Sequence, residues 1–292
     1  MPRCAFLTMD GADAFAIYDR EAVGPLAALG WAVDEVPWRR PTDWAAYDLV
    51  VVRSPWDYHD APAEFFDVLT EIDRKTRLEN PLPVMRWNLR KTYLRDLAAA
   101  GVPVVPTVWL EGLTEPALAE AVGRWGGVVV KPQVSAGADG TFRLGPERTR
   151  WAEALSALAD RPCMVQPFLQ SVVGEGEWST FAFAGDVSHA ILKTPAAGDF
   201  RVQEEHGGHI QAVSPGDDLL ALTRAALDAV PWPEPLLYAR VDAVRLADGS
   251  LAIIELEIIE PSLYFPYGPG SAERFAAAVD RLAREPRPGA PA

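Results

Sequence analysis

The stretch Ile253-Ile254-Glu255-Leu256-Glu257-Ile258-Ile259-Glu260-Pro261-Ser262 constrains this chain more than any other. Its apolar residues read as a buried strand, and the two-residue period of a strand turns Glu255 and Glu257 to one face. A buried ionised carboxylate is costly unless a positive charge sits against it. The apolar run Leu236–Val244 carries a third carboxylate, Asp242, and no lysine or arginine adjoins Glu255 or Glu257 in sequence. Three hard oxygen donors on two strands suit Mg2+, which binds through a few carboxylates together with substrate phosphates. The alternative is one carboxylate paired with an arginine brought in by the fold, the others facing solvent.

With 292 residues the chain is too long for one small core and predicts two or three packed subdomains. A net charge of -14 disfavours nucleic acid and anionic membranes as partners, while locally basic residues can still line a site for an anion. Cys4 and Cys163 lie in apolar runs without metal or disulfide spacing, which fits a reducing compartment. The run Cys4–Thr8 is too short for a signal peptide, and no apolar segment approaches the length that spans a bilayer. A cytoplasmic location is expected.

Up to about Asn80, short apolar strands (Arg3–Thr8, Ala32–Val36, Asp48–Val52) alternate with helical segments (Ala22–Leu29, Pro62–Arg74). That alternation implies a parallel sheet covered by helices, whose ligands collect at the carboxyl ends of the strands. Arg53, Ser54, Trp56, Asp57 and Tyr58 stand there and offer polar contacts and an aromatic wall to a small zwitterion. The competing reading is a proline-containing turn with a packed tryptophan. Lys91 falls in the first turn of a helix that Gly101 ends, where a cation opposes the helix dipole unless an anion binds there too. Gly127–Pro132 reads as a strand carrying Lys131, followed by Ser135-Ala136-Gly137-Ala138-Asp139-Gly140 and a returning strand, Thr141–Leu144. Small residues let backbone N–H groups close over phosphates, with Lys131 as the point charge. Taken alone, the pattern also describes an ordinary glycine hairpin. No G-x-x-x-x-G-K-[ST] motif occurs.

Further on, Arg150–Ala159 reads as a helix, and the strand Cys163–Leu169 meets Gln166-Pro167, a hinge that can offer backbone groups to a base. Glu175 and Glu177 follow, placed for ribose hydroxyls. Trp178–Ala184 and Val187–Thr194 read as paired strands around Gly185-Asp186. Gly198–His209 lacks periodicity and reads as a loop over a site, with Arg201 as its anion ligand. His206 and His209 have no third ligand at useful spacing, so zinc is rejected. Leu219–Val230 and Ala272–Arg284 read as helices, Tyr264–Gly268 as an aromatic loop, and Glu285–Ala292 as a frayed end.

In this order the lysines, small-residue loop, Gln-Pro hinge, arginine loop and carboxylate strands resemble the ATP-grasp superfamily over essentially the whole chain. The likeness is strongest to its glutathione-synthetase and ribosomal-protein glutamate ligase side. Within it, Arg53–Tyr58 together with Gly198–Gly208 resembles the D-cycloserine synthetases and their relatives. The resemblance implies an α/β (α+β) fold with a Rossmann-like substrate domain at 1–88, an ATP-binding lid at 89–168 and a metal-binding catalytic domain at 169–292. It implies ATP phosphates held by Lys91 and Lys131 beneath a mobile loop running from Ser135 through Gly137 to Gly140. Adenine would meet backbone groups of Gln166 and Phe168, with ribose on Glu175 or Glu177. Asp242, Glu255 and Glu257 would hold one or two Mg2+, although the family commonly has Asn where this chain has Glu257. Arg201, Lys131 and Glu255 would carry the chemistry. A small amino-acid-like substrate would be gripped by Arg53, Ser54, Trp56, Asp57 and Tyr58, with Arg201, His206 and Gly207 on the lid side. The implied activity is an ATP-dependent ligase that activates a carboxylate as an acyl phosphate, closing O-ureido-D-serine to D-cycloserine in antibiotic biosynthesis. An intermolecular amino-acid or peptide ligase and a non-catalytic nucleotide-binding protein are the alternatives. Many such relatives are homodimers.

Overall fold

The computed structural model describes residues 1–11 and 15–285, so all of the frayed end beyond Glu285 lies outside the described residues. The N-terminal part is built as the strand-helix alternation requires. Strands Arg3–Thr8 (β1), Ala32–Pro37 (β2), Leu49–Ser54 (β3) and Arg77–Glu79 (β4) form a parallel sheet of order β2-β1-β3-β4. Helices Val23–Ala28 (α1) and Pro62–Lys75 (α2) accompany it, and α2 buries Phe65, Phe66, Leu69 and Ile72. β3 runs two residues past its expected end because Arg53 and Ser54 are themselves buried.

Helices Leu82–Asn88 (α3) and Tyr93–Ala99 (α4) lead into a second sheet. Lys91 lies in the turn before α4 rather than in its first turn, held there by its own N–H, which donates to the Gln133 carbonyl at 2.8 Å. Strands Val108–Leu110 (β5), Val128–Pro132 (β6), Phe142–Leu144 (β7) and Cys163–Pro167 (β8) are antiparallel in the order β5-β8-β6-β7, and helices Glu115–Trp125 (α5) and Trp151–Leu158 (α6) bury their apolar faces in the same core.

The third sheet carries the carboxylates. After a short helix, Gln170–Gly174 (α7), it is formed by Glu177–Phe183 (β9), Asp186–Thr194 (β10), His209–Val213 (β11), Tyr238–Arg245 (β12) and Leu251–Glu257 (β13), in the order β11-β10-β9-β12-β13. Helices Asp217–Asp228 (α8) and Ser271–Arg284 (α9) pack beside it. The β9–β10 turn passes through Ala184 and Gly185, both at positive φ, of 48° and 88°. β11 occupies the end of the segment read as a loop, which is why His209 is a strand residue.

One irregularity sets the face of the key strand. The β12–β13 ladder pairs Asp242 with Glu255 but Ala243 with Ile253, leaving Ile254 as an extra residue. A bulge of this kind changes the alternation of a strand. Ile253 and Leu256 therefore both enter the core with Val241 and Ala243, while Glu255 and Glu257 turn outward together.

Two buried asparagines fasten this sheet to the segment after β4. Asn80 donates to the carbonyls of Tyr238 and Ile258, each at 2.8 Å, and accepts from the Leu237 N–H at 2.8 Å. Asn88 donates to the Leu256 carbonyl at 2.8 Å and accepts from the Ile258 N–H at 3.1 Å. Buried backbone groups robbed of partners cost far more than a hydrogen bond contributes on balance. The Asn80→Ala variant should therefore lose about 3 kcal/mol of stability. A urea unfolding midpoint equal to that of the wild type would contradict this.

Candidate active site

Four neighbouring strands present one row of charge to a cleft of about 510 Å³. β10 contributes Lys193, β9 Glu177 and Ser179, β12 Arg240 and Asp242, and β13 Glu255 and Glu257. Ladder pairing sets Lys193 opposite Glu177, Ser179 and Glu255 on either side of Asp242, and Arg240 opposite Glu257. Lys193 Nζ lies 2.5 Å from Glu177 Oε1 and 3.3 Å from Asp242 Oδ1. Arg240 Nε lies 3.1 Å from Asp242 Oδ2, and its Nη2 pairs with Glu257. The Ser179 hydroxyl donates to Asp242. Lys91 reaches in from the turn before α4, pairs with Glu255 and donates to the Ser135 carbonyl at 3.3 Å.

The carboxylates thus meet cations delivered by the fold as well as one another. Arg240 was the missed partner, and its signal was legible: it lies two residues before Asp242, on the same face of the strand. The same pairing sets Glu257, at the position where the resemblance implies Asn, opposite Arg240. Lys193 and Ser179 gave no signal in sequence, since only the sheet order brings them to Asp242.

Asp242, Glu255 and Glu257 each offer an oxygen within 4.8 Å of the others. A set of three carboxylate oxygens fits Mg2+, which these residues would hold. Local charge divides the carboxyls. Burial works against the Glu255 charge, yet Lys91 and Lys131 bring its carboxyl down to about 2. Burial likewise opposes Asp242, and Arg240 and Lys193 lower it. Burial pushes Glu257 up to about 7 against the pull of Arg240, and it pushes Glu260 up to about 8 with Glu257 adding to the effect. Burial also holds the Lys131 ammonium below its ordinary value.

Other expected residues divide between the cleft and its supports. Lys131, Ser135, Gly137, Gln166, Phe168, Arg201 and His206 line the cleft, and Trp56 and Tyr58 line it from the N-terminal part. Of the two acidic residues left open for ribose, Glu177 faces the cleft, whereas Glu175 pairs with Arg245 at 3.0 Å and does not line it. Phe168 donates its N–H to the Gly127 carbonyl at 2.8 Å, and the Arg143 guanidinium lies 3.8 Å from the centre of its ring. The Gln166 side-chain amide donates to Thr107 Oγ1 at 3.0 Å. Gly140, at φ 64°, lets the loop turn against Pro132, where a Cβ would stand 3.0 Å from Cγ. Gly207, at φ 78°, closes the turn Glu204–His206.

Arg53, Ser54 and Asp57 do not line the cleft. Arg53 is fully buried, pairs with Asp19 at 2.9 Å and donates to the Pro261 carbonyl at 2.8 Å. Ser54 Oγ meets Thr8 Oγ1 at 3.0 Å, and Asp57 accepts from Trp38 Nε1 at 2.7 Å and pairs with Arg39. Ser54 and Asp57 spend their polarity inside the N-terminal part, while Arg53 ties that part to the segment after β13. Arg201 pairs with Asp199 at 2.8 Å, and the same loop reaches the N-terminal part through Glu204, which accepts from the Tyr18 hydroxyl at 3.0 Å.

A carboxyl held above its ordinary value of 4.5 keeps its proton when folded. Its contribution to stability is complete below that value and is lost as pH rises through about 7 for Glu257 and about 8 for Glu260. Metal-free protein should therefore lose thermal stability between about pH 5 and 8, and a Glu257→Gln, Glu260→Gln double variant should lose much less. Parallel pH profiles for the two proteins would contradict the assignment.

A family model described as the N-terminal domain of D-cycloserine synthetase DcsG matches residues 4–80. The chain is 34% identical over 274 residues to the cycloserine biosynthesis protein DcsG of Streptomyces lavendulae, covering 86% of this chain and 89% of that protein. It is similar to the crystal structure of D-cycloserine synthetase DcsG, with a TM-score of 0.86, 30% identity and coverage of 97% of this chain and 100% of that one. The ATP-grasp ligase PsnB, solved with a minimal precursor, Mg and ADP, shares the fold at a TM-score of 0.66 and 16% identity, covering 97% of this chain and 98% of that one. The chain belongs to the D-cycloserine synthetase family of ATP-grasp ligases.

Proposed function

We propose that this chain uses ATP and Mg2+ to close O-ureido-D-serine to D-cycloserine. The observation that carries the reading is the cleft itself. Phosphate-neutralising lysines and a carboxylate trio form one wall, and the aromatic pair Trp56 and Tyr58 of the N-terminal part forms another. The role of the Streptomyces lavendulae relative in cycloserine biosynthesis supports the choice of substrate.

A carboxylate is a poor acylating agent because oxide would have to leave. Attack of its oxygen on the γ-phosphorus of ATP releases ADP and gives an acyl phosphate, from which phosphate can leave. Such a transfer depends on alignment and on charge neutralisation. Asp242, Glu255 and Glu257 would hold Mg2+, which would supply neutralisation of phosphate charge. Lys91 and Lys131 lie beside Glu255 and meet the phosphate oxygens, and Arg201 meets the transferred phosphoryl group and the substrate carboxylate. Gln166 and Phe168 hold adenine, Glu177 holds ribose, and the loop from Ser135 to Gly140 closes over the phosphates and excludes water. The oxygen-bound nitrogen of the ureido group then attacks the acyl carbon within the same molecule and loses its proton. The carbamoyl group leaves after hydration as carbon dioxide and ammonia.

In this reading residues 1–88 form the substrate domain, 89–168 the lid and 169–292 the catalytic domain. The reading carries with it a cytoplasmic location and a homodimer. ADP release in the presence of ATP and Mg2+ should rise on adding O-ureido-D-serine alone, with D-cycloserine appearing in equal amount. A strict need for a second amine, or no response to the compound, would overturn the cyclisation.

A further inference from the structure

The carboxylates of the cleft are not equivalent in their partners. Glu177, Asp242, Glu255 and Glu257 each pair with a lysine or arginine. Glu260 also lines the cleft and is 9% exposed, but among the described residues no cation lies within ion-pair distance of it. Its contact is the Tyr58 hydroxyl, which donates toward the carboxyl. Lys91 acts on it only at longer range and is itself paired with Glu255.

The backbone that bears Glu260 is fixed with unusual care. Three successive carbonyls are held by side chains from other segments. The Tyr238 hydroxyl donates to Ile259 O at 2.9 Å, Trp56 Nε1 to Glu260 O at 2.9 Å, and Arg53 Nη2 to Pro261 O at 2.8 Å. Two of these donors belong to Arg53–Tyr58, the turn that reads in sequence as a grip on substrate. A carboxyl has thus been set rigidly in the wall of the cleft, opposite no lysine or arginine among the described residues, beside the aromatics Trp56 and Tyr58. A buried carboxyl without a cation holds its proton, and a cation that arrives beside it restores the charge.

We propose that Glu260 receives the α-ammonium group of the amino-acid substrate, in a subsite walled by Trp56 and Tyr58. The proposal rests on the ligase reading above and assigns the substrate's amino end to a place the ATP and metal residues leave open. Arg201, with the Mg2+ that the carboxylates would hold, takes the carboxylate end, so the zwitterion spans the cleft with each charge against its opposite. The raised carboxyl of Glu260 agrees with this, since an arriving ammonium group supplies the positive charge that the protein does not.

The test compares O-ureido-D-serine with 3-(ureidooxy)propanoate, which lacks only the α-amino group. Wild-type protein should prefer the amino compound by about 100-fold in kcat/KM, the size expected for a desolvated charge pair. Glu260→Gln should lose most of that preference through the KM for the amino compound, with the KM for ATP and the Mg2+ requirement unchanged, and Glu260→Asp should restore part of it. Equal loss with both compounds, or a change confined to ATP or Mg2+, would overturn the proposal. Failure of the cyclisation reading would look different: wild-type protein would release ADP with another α-amino acid. That amino acid and its des-amino analogue then form the deciding pair.

Discussion

Everything in this molecule turns on gathering several carboxyls and the cations that face them into one partly buried wall. Isolated, each would be driven to take up a proton, since burial alone raises all of them. The sheet opposes this by register, and at Asp242 and Glu255 the cations prevail. Arg240 faces Glu257 and touches Asp242, Lys193 bridges Glu177 and Asp242, and Lys91 closes on Glu255. Removing one cation would strand its carboxylate in that wall, a far larger loss than the pair itself contributes. In the proposed reading the same charges would meet the metal and the triphosphate. In that reading Mg2+ held by Asp242, Glu255 and Glu257 would leave Lys91 free to meet a phosphate.

The row can function only if the N-terminal part stands at a fixed distance from it. That spacing comes from directional bonds rather than from apolar contact alone. Asn80 and Asn88 insert their amides into the β12 and β13 ends, and Arg53, Trp56 and Tyr238 take the carbonyls that follow. Each of these side chains fills backbone positions that a continuing strand would have filled. The sheet therefore ends where the cleft begins, and the carbonyls past Glu257 become the joint between the two parts. Opposite them, the loop around Arg201 reaches from Phe168, whose ring lies 6.4 Å from Phe200, to Tyr18 of the N-terminal part. The cleft is framed by all three sheets.

Much of this was legible in sequence because it rests on short-range pattern. The alternation of Glu255 and Glu257, the period of α2, the apolar runs of β1 and β3 and the small-residue loop after Lys131 are all local. What could not be read depends on pairing across the fold. Lys193 meets Asp242 only because β9 lies between β10 and β12. The bulge at Ile254 leaves no mark in composition, yet it decides that Ile253 is core and Glu255 is not. Arg53 misled for a physical reason: an arginine at the end of a parallel strand resembles a ligand contact, but here Asp19 lies close enough to take its charge. Glu175 and Glu177 were indistinguishable by type, and the start of β9 separates them, turning Glu177 to the cleft while Glu175 meets Arg245.

The central claim is that Asp242, Glu255 and Glu257 form the metal centre and exchange their protein cations for it. A crystal structure with Mn2+ and ADP tests it most directly, since Mn2+ replaces Mg2+ at oxygen sites and can be located by its anomalous scattering. The account predicts an anomalous peak bound by oxygens of all three carboxylates and of ADP, with Lys91 moved from Glu255 to a phosphate. A peak elsewhere, or nucleotide bound with the Lys91–Glu255 and Arg240–Glu257 pairs intact and no metal between them, would contradict it.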